Sequence, residues 1–255
     1  MKRWMLLVWI ACFPLSSAFS WGPTGHRACG LVAEQYLNAK AKKRLAKILG
    51  QESIAMAGTW MDDIRSDSTY NYAVDWHYTT VPDGKSYADV ASNPEGKVVL
   101  MIEKLTADLK SGKLNTKQEL ESLRMLIHLI EDIHQPLHVG KPGDKGGNDV
   151  KVKWFRNDSN LHRVWDSDMI DDSKLSYTEL ANALPRPDDI TLAKWQKAPV
   201  TEWAQESMSY RSQLYNIGNG NLGFAYTYRN FPIVRQRLVQ AGIRLAAVLN
   251  DIYGR

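Results

Sequence analysis

A chain of 255 residues, 44% hydrophobic and 24% charged, is long enough to bury a sizeable core without disulfide staples. Its formal net charge is +4; beyond the first twenty residues 30 basic side chains face 28 acidic ones, a balance that excludes a nucleic-acid footprint built on bulk charge. Of the two cysteines, Cys12 falls in the leader described next, so Cys29 has no internal partner and is expected to pack as a small apolar residue.

Met1 to Ser20 reads as a secretory signal: Lys2 and Arg3 as the basic start, Trp4 to Leu15 as the apolar run, Ala18-Phe19-Ser20 as the cleavage site. Cleavage after Ser20 makes Trp21 the first residue of the mature chain. The apolar run is short for a membrane span and no later segment approaches one. A secreted or periplasmic monomer, with no stable membrane association, is therefore expected over residues 21–255.

Gly22-Pro23-Thr24-Gly25 opens a helix of period near 3.6 running to about Leu37, and Asn38 reads as the N-cap of a basic helix ending at Gly50. A third helix is expected from about Glu52 to Arg65. Asn71 to Pro82 is aromatic-rich and extended or irregular. Asn93-Pro94 starts a helix to about Lys110, and Thr116-Lys-Gln-Glu119 reads as the capping box of a central helix. After a glycine-rich loop from Gly140 to Asn148, Asp149 to Trp154 alternates like a short strand. A hairpin turn at Arg156 to Asn160 leads to a helix through Leu161 to Asp166. Further helices are expected at Tyr177–Ala183, Ile190–Tyr215 and Phe231–Ile252. With no linker or repeat, this is a single, mainly α domain with a small β-hairpin element.

The central helix carries the chemistry. His128 and Asp132 are four residues apart, hence on one face, within a wall of Leu123, Met125, Leu126, Ile127, Leu129, Ile130 and Ile133. Such polar groups are costly to bury unpaired. Pro136 ends or kinks the helix, and His138 follows just beyond it. The same His-x-x-x-Asp spacing recurs at His162 and Asp166, where it again aims an imidazole nitrogen and a carboxylate oxygen at one point, as zinc requires. His134 lies about 120° round the helix from His128 and is left as a packing residue. If Trp21 is the first residue, its α-amino nitrogen and carbonyl oxygen can chelate a metal, with His26 as a third donor.

These residues carry a family resemblance. Trp21-x4-His26, Trp60-Met-Asp62-x2-Arg65, Trp76-His77-Tyr78, His128-x3-Asp132-Ile-His-Gln-Pro-Leu-His138, Gly146-Gly-Asn148-Asp149 and His162-x2-Trp165-Asp166 together resemble the nuclease S-one/P-one family, the zinc-dependent type I single-strand nucleases and 3′-nucleotidases. The resemblance implies a helical fold related to zinc phospholipase C, holding three zinc ions in a cleft. Asp62, His77, His128 and Asp132 would bind the first; His138, His162 and Asp166 the second; Trp21, His26 and Asp132 the third. It implies an endonuclease that cleaves O3′–P bonds of single-stranded DNA and RNA, and of 3′-nucleotides, to leave 5′-phosphates. Asp62, Asp132 and Arg65 are the expected catalytic residues. Tyr78, Asn148 and Arg65 are expected to bind substrate, Tyr78 by stacking on an unpaired base. Thr80 stands where the family often has an acid that orients the attacking water, with Asp83 as a possible substitute. The missing disulfide fits a bacterial relative. The alternatives are a zinc phospholipase C-like phosphodiesterase, disfavoured by Asp166 and the short Trp21–His26 gap, and an exported zinc-binding protein without catalysis.

Overall fold

The computed structural model describes residues 21–255; the expected signal peptide, with Cys12, lies outside them. The described chain is mainly helical, as expected. Helix α1, Pro23–Tyr36, starts on a proline whose fixed φ suits the first helical position. Helix α2, Ala39–Leu49, is capped by the Asn38 side chain, which accepts from the Ala41 N–H. Short helices α3, Ile54–Ala57, and α4, Trp60–Asp63, lead through tight turns to strand β1, Thr79–Thr80. Helices α5, Val98–Ser111, and α6, Thr116–Asp132, follow.

Strand β2, Val139–Gly140, pairs in parallel with β1; strands β3, Lys151–Trp154, and β4, Asn157–Asn160, form an antiparallel hairpin. Helices α7, Leu161–Arg163, and α8, Met169–Asp171, flank a π-helical turn at Val164–Asp168. Then come α9, Tyr177–Ala183, α10, Asp189–Lys197, α11, Val200–Ser209, and α12, Arg211–Leu214. Strand β5, Asn221–Leu222, adds in parallel to β3, and α13, Phe224–Tyr253, closes the chain.

Several boundaries depart from expectation. The third helix is broken into α3 and α4 at Gly58-Thr59, where the Thr59 hydroxyl turns back on the Met56 carbonyl and the Gly58 carbonyl is taken by His128. The α6 capping box is Asn115 with Gln118, one residue earlier than read, because the Asn115 side chain accepts from the Gln118 N–H and Gln118 reciprocates. Asn157–Asn160 is a strand, and the hairpin turns at Phe155 and Arg156, both at positive φ. Helix α5 begins only at Val98, since Gly96 sits at φ +80 before it. The 190–215 segment splits into three helices, first around Pro199 and again at Tyr210. Helix α13 starts seven residues before Phe231 and carries Pro232 inside it, in its third turn.

Two apolar clusters form the core, one centred on α2, α5 and α6, the other on α1, the 161–171 segment and α13. Helix α1 lies along α13, where Gly242 permits the approach: a Cβ there would fall 2.5 Å from Val32 Cγ1. The end of α6, near the seam of the clusters, is sealed, with Leu129, Ile130 and Ile133 fully buried. The polar groups at this end are therefore held by protein on every side except the one they face.

Candidate metal centre

His128 and Asp132 sit one turn apart at the end of α6, both fully buried. Asp132 Oδ2 lies 3.1 Å from His128 Nε2 and 2.9 Å from His77 Nδ1, and the two imidazole nitrogens are 3.0 Å apart. Asp62, from α4, brings Oδ1 to 3.8 Å from His128 Nε2. His77 arrives on the loop before β1. The parallel β1–β2 pair ties that loop to the one carrying His138 (Thr79 beside Val139, Thr80 beside Gly140). The Arg211 guanidinium, buried, donates to the carbonyls of Val81, Val139 and Gly140 and so staples both strands.

Beyond the end of α6, Gln135 caps the Pro136–His138 turn and delivers His138 inward. The π turn widens the helix that carries His162 and Asp166, whose Nε2 and Oδ2 are 3.0 Å apart. His138 Nε2 is 3.8 Å from Asp166 Oδ1, and the Gln135 amide donates to that same carboxylate. His26, from α1, points Nε2 at Asp132 Oδ1 (3.6 Å) and Asp62 Oδ2 (4.0 Å) and stacks on His128. Trp21 is fully buried beside it. Its indole N–H donates to the Glu131 carbonyl, and the next residue's N–H donates to the Asp166 carbonyl at 2.7 Å.

Four of the five imidazoles are turned the same way. Nδ1 faces the Glu131 carboxylate in His26 and backbone carbonyls in His128, His138 and His162, those of Gly58, His77 and Gly146. An acceptor at Nδ1 demands the proton there and leaves the Nε2 lone pair for the cluster. His77 is reversed and offers Nδ1.

Electrostatics follow from burial and from the carboxylates. Burial, with His128 beside it, lowers His26 to about 3; burial lowers His138 to about 4 against the pull of Asp132. Burial would lower His128 too, but Asp132 and Asp62 raise it to about 9. Burial works against Asp132 ionising, yet His128 and His138 hold it well below the usual carboxylate range. Burial pushes Asp166 up to about 7 against the attraction of His162.

The donor set suits a cation. Three triads, His26/Asp62/His128, His77/His128/Asp132 and His138/His162/Asp166, each bring one ligand atom per residue within 4.8 Å of the others. Asp132 Oδ1 and Asp166 Oδ2 are buried without a hydrogen-bond partner, facing imidazole lone pairs. Acceptors converging on acceptors need a positive charge between them, and an imidazole–carboxylate mixture suits a divalent transition-metal ion, zinc among them. His134, set aside from the sequence, is bound to the Ile130 carbonyl and Arg244 and takes no part.

The other expected residues are placed less uniformly. Arg65 pairs with Asp62 at 2.7 Å. Tyr78 is 36% exposed, its backbone packed against Gly96. Asn148 spends its amide on the Lys145 carbonyl, as turn chemistry dictates. Thr80 is buried and its N–H bonds the Glu95 carbonyl; Asp83 pairs with Arg211. Sequence reasoning missed Glu131, Gln135 and Gly58. A signal for Glu131 existed, because it and Asp132 are the only charged side chains between Arg124 and Lys141 unless a histidine is protonated.

A family profile described as S1/P1 Nuclease matches residues 21–254. The chain is similar to Endonuclease 4 of Arabidopsis thaliana, 31% identical over 99% of this chain and 96% of the relative. It is similar to Nuclease S1 of Aspergillus oryzae, 26% identical over 92% of each. With Nuclease P1 of Penicillium citrinum it shares 29% identity over 58% of each chain.

Proposed function

The chain belongs to the S1/P1 nuclease family, and from that premise we propose that it is a zinc-dependent endonuclease and 3′-nucleotidase. It hydrolyses O3′–P bonds of single-stranded DNA, RNA and nucleotides to give 5′-phosphates. The observation that carries this reading is the convergence of five imidazoles and three carboxylates, all buried but the part-exposed Asp62, with orphaned oxygens on Asp132 and Asp166. Trp21, His26, Asp62, His77, His128, Asp132, His138, His162 and Asp166 would hold three zinc ions. When bound there, zinc supplies Lewis acidity toward phosphate oxygens and brings the ionisation of water near neutral pH.

The chain's own groups do the rest. Asp132 presents one oxygen to the His77/His128 side and the other toward His26, so it joins the two halves of the cluster. Arg65, held by Asp62, stands close enough to this cluster to offset charge on a substrate phosphate. Tyr78, next to His77 and partly exposed, supplies a stacking face that takes any base, provided the base is unpaired. That requirement gives single-strand preference a physical cause. Asn148 completes the proposed substrate contacts from its turn. In this reading residues 1–20 are a signal peptide and 21–255 one nuclease domain, a monomer acting outside the cytoplasm.

The test uses the chain beginning at Trp21, loaded with zinc, given single-stranded oligonucleotide in one arm and lecithin in the other. Release of 5′-nucleotides is the expected result. Phosphocholine release alone would overturn the nuclease reading in favour of the phospholipase.

A further inference from the structure

The buried carboxylate next to Asp132 has no part in the family motif or in the chemistry above. Glu131 is fully buried, at the end of α6, in a wall of aliphatic side chains. Its Oε2 is 2.6 Å from His26 Nδ1. Its backbone carbonyl accepts the Trp21 indole N–H at 3.0 Å. One residue thus receives both members of the N-terminal segment that face the cluster. On its other side the backbone of the α3–α4 break makes room for it: a Cβ at Gly58 would lie 2.6 Å from Oε2 and 3.1 Å from Oε1. Gly58 has an ordinary helical φ of −63, so the glycine answers to this contact rather than to a strained backbone.

We propose that Glu131 is the positioning residue of the His26 subsite. It holds the Nδ1 proton and aims Nε2 at Asp132 and Asp62, so that a zinc ion there depends on a carboxylate outside the ligand set. A carboxylate accepting from a ligand imidazole fixes the ring and raises its basicity, and loss of such a partner typically lowers metal affinity roughly 10–100-fold. His128, His138 and His162 use carbonyls for this purpose. His26 instead sets its Nδ1 against a carboxylate that belongs to none of the three triads, which makes its subsite separable from the others by mutation.

This inference rests on the zinc reading, and the experiment separates the two. Zinc content after dialysis, zinc affinity by chelator competition, and the melting temperature of metal-free protein are measured for the wild type, Glu131→Ala, Glu131→Gln and Gly58→Ala. The wild type is expected to hold three zinc ions. Glu131→Ala should hold about one fewer. Gly58→Ala, whose new methyl displaces the carboxylate, should lose the same ion. Glu131→Gln keeps an acceptor and should retain all three, the weakest bound about 10–100-fold less tightly. Its metal-free form should melt no lower than the wild type, which a purely structural role would not allow. Wild-type stoichiometry and affinity in Glu131→Ala and Glu131→Gln overturn the assignment. If Glu131→Ala does not fold, Glu131→Gln decides alone. An empty wild type overturns the zinc reading together with this one.

Discussion

Two buried polar clusters meet at the end of α6, and they are built on opposite plans. On one face His26, His77, His128, His138 and His162 converge with Asp62, Asp132 and Asp166. On the other, Arg237 and Arg244, both almost inaccessible, close around Glu206 and His134. Arg237 donates to Glu206, Gln240, Ser207 and the carbonyls of His134 and Trp203. Arg244 donates to both Glu206 oxygens, to His134 Nε2 and to the Trp195 carbonyl. There each donor ends on an acceptor, and neither arginine has an orphaned atom. In the first cluster the acceptors outnumber the donors and leave buried oxygens without partners. A closed set of hydrogen bonds marks a support; an open set of lone pairs marks a place for a ligand.

The largest effect expected is that of Asp132→Asn, which removes the group shared by the halves of the metal cluster. Nuclease activity should fall by well over the roughly 100-fold that outer contacts alone account for. Zinc content should drop, and zinc should no longer raise the melting temperature. A loaded, active variant would show that the open cluster is a support after all. Glu206→Gln makes the opposite case. Two buried guanidiniums then share no full charge, and breaking such a pair costs several kcal/mol; with 24% of the Glu206 side chain exposed, the loss should be about 3 kcal/mol of folding stability. Zinc stoichiometry should not change when measured in the cold. If zinc were lost as well, the clusters would be one unit rather than two.

A smaller effect separates them by pH. In metal-free protein the folded-state value for His128 is raised, to about 9, so its ring carries a proton at pH 7. Asp166, near 7, is half protonated there, while His26 and His138, near 3 and 4, are already neutral. Ligands must shed protons to take up metal, so zinc affinity should rise with pH from about 6 to 9. Calorimetry in buffers of different ionisation enthalpy should show about three protons released per chain at pH 6, from His128, Asp166 and the Trp21 α-amino group, and between about one and two at pH 8. The same linkage acts on metal-free stability. The contribution of charged His128 is complete below its unfolded value of about 6.5 and is lost as pH climbs through 9. A pH-independent affinity would contradict this arrangement of charges.

The helical class, the α1 and α2 boundaries and the end of α6 could be read from the chain because their causes are local: a proline at the first position, an asparagine cap, a proline stop. The break at Gly58-Thr59 could not, since the group that takes the Gly58 carbonyl is His128, seventy positions away. The same holds for Asp166, whose aim depends on a π turn with no local sequence mark. Of the candidate site, the five imidazoles and three carboxylates were found through repeated spacing and family motif. The roles of Glu131 and Gln135 were not legible, because the groups they hold, His26 and Asp166, reach them only through the fold. Two adjacent acids in an aliphatic helix end, Glu131 and Asp132, were the clue.

The two-residue ladder between β1 and β2 has a mechanical corollary. His77 and His138 ride on loops stitched together at Thr79–Val139 and Thr80–Gly140 and riveted by Arg211. The gap between their rings is thus a gauge of fixed width rather than a jaw. Under the proposed chemistry, the ions held by His77 and His138 would stand at a spacing set by the fold before any phosphate arrives, with little left for a later clamping motion.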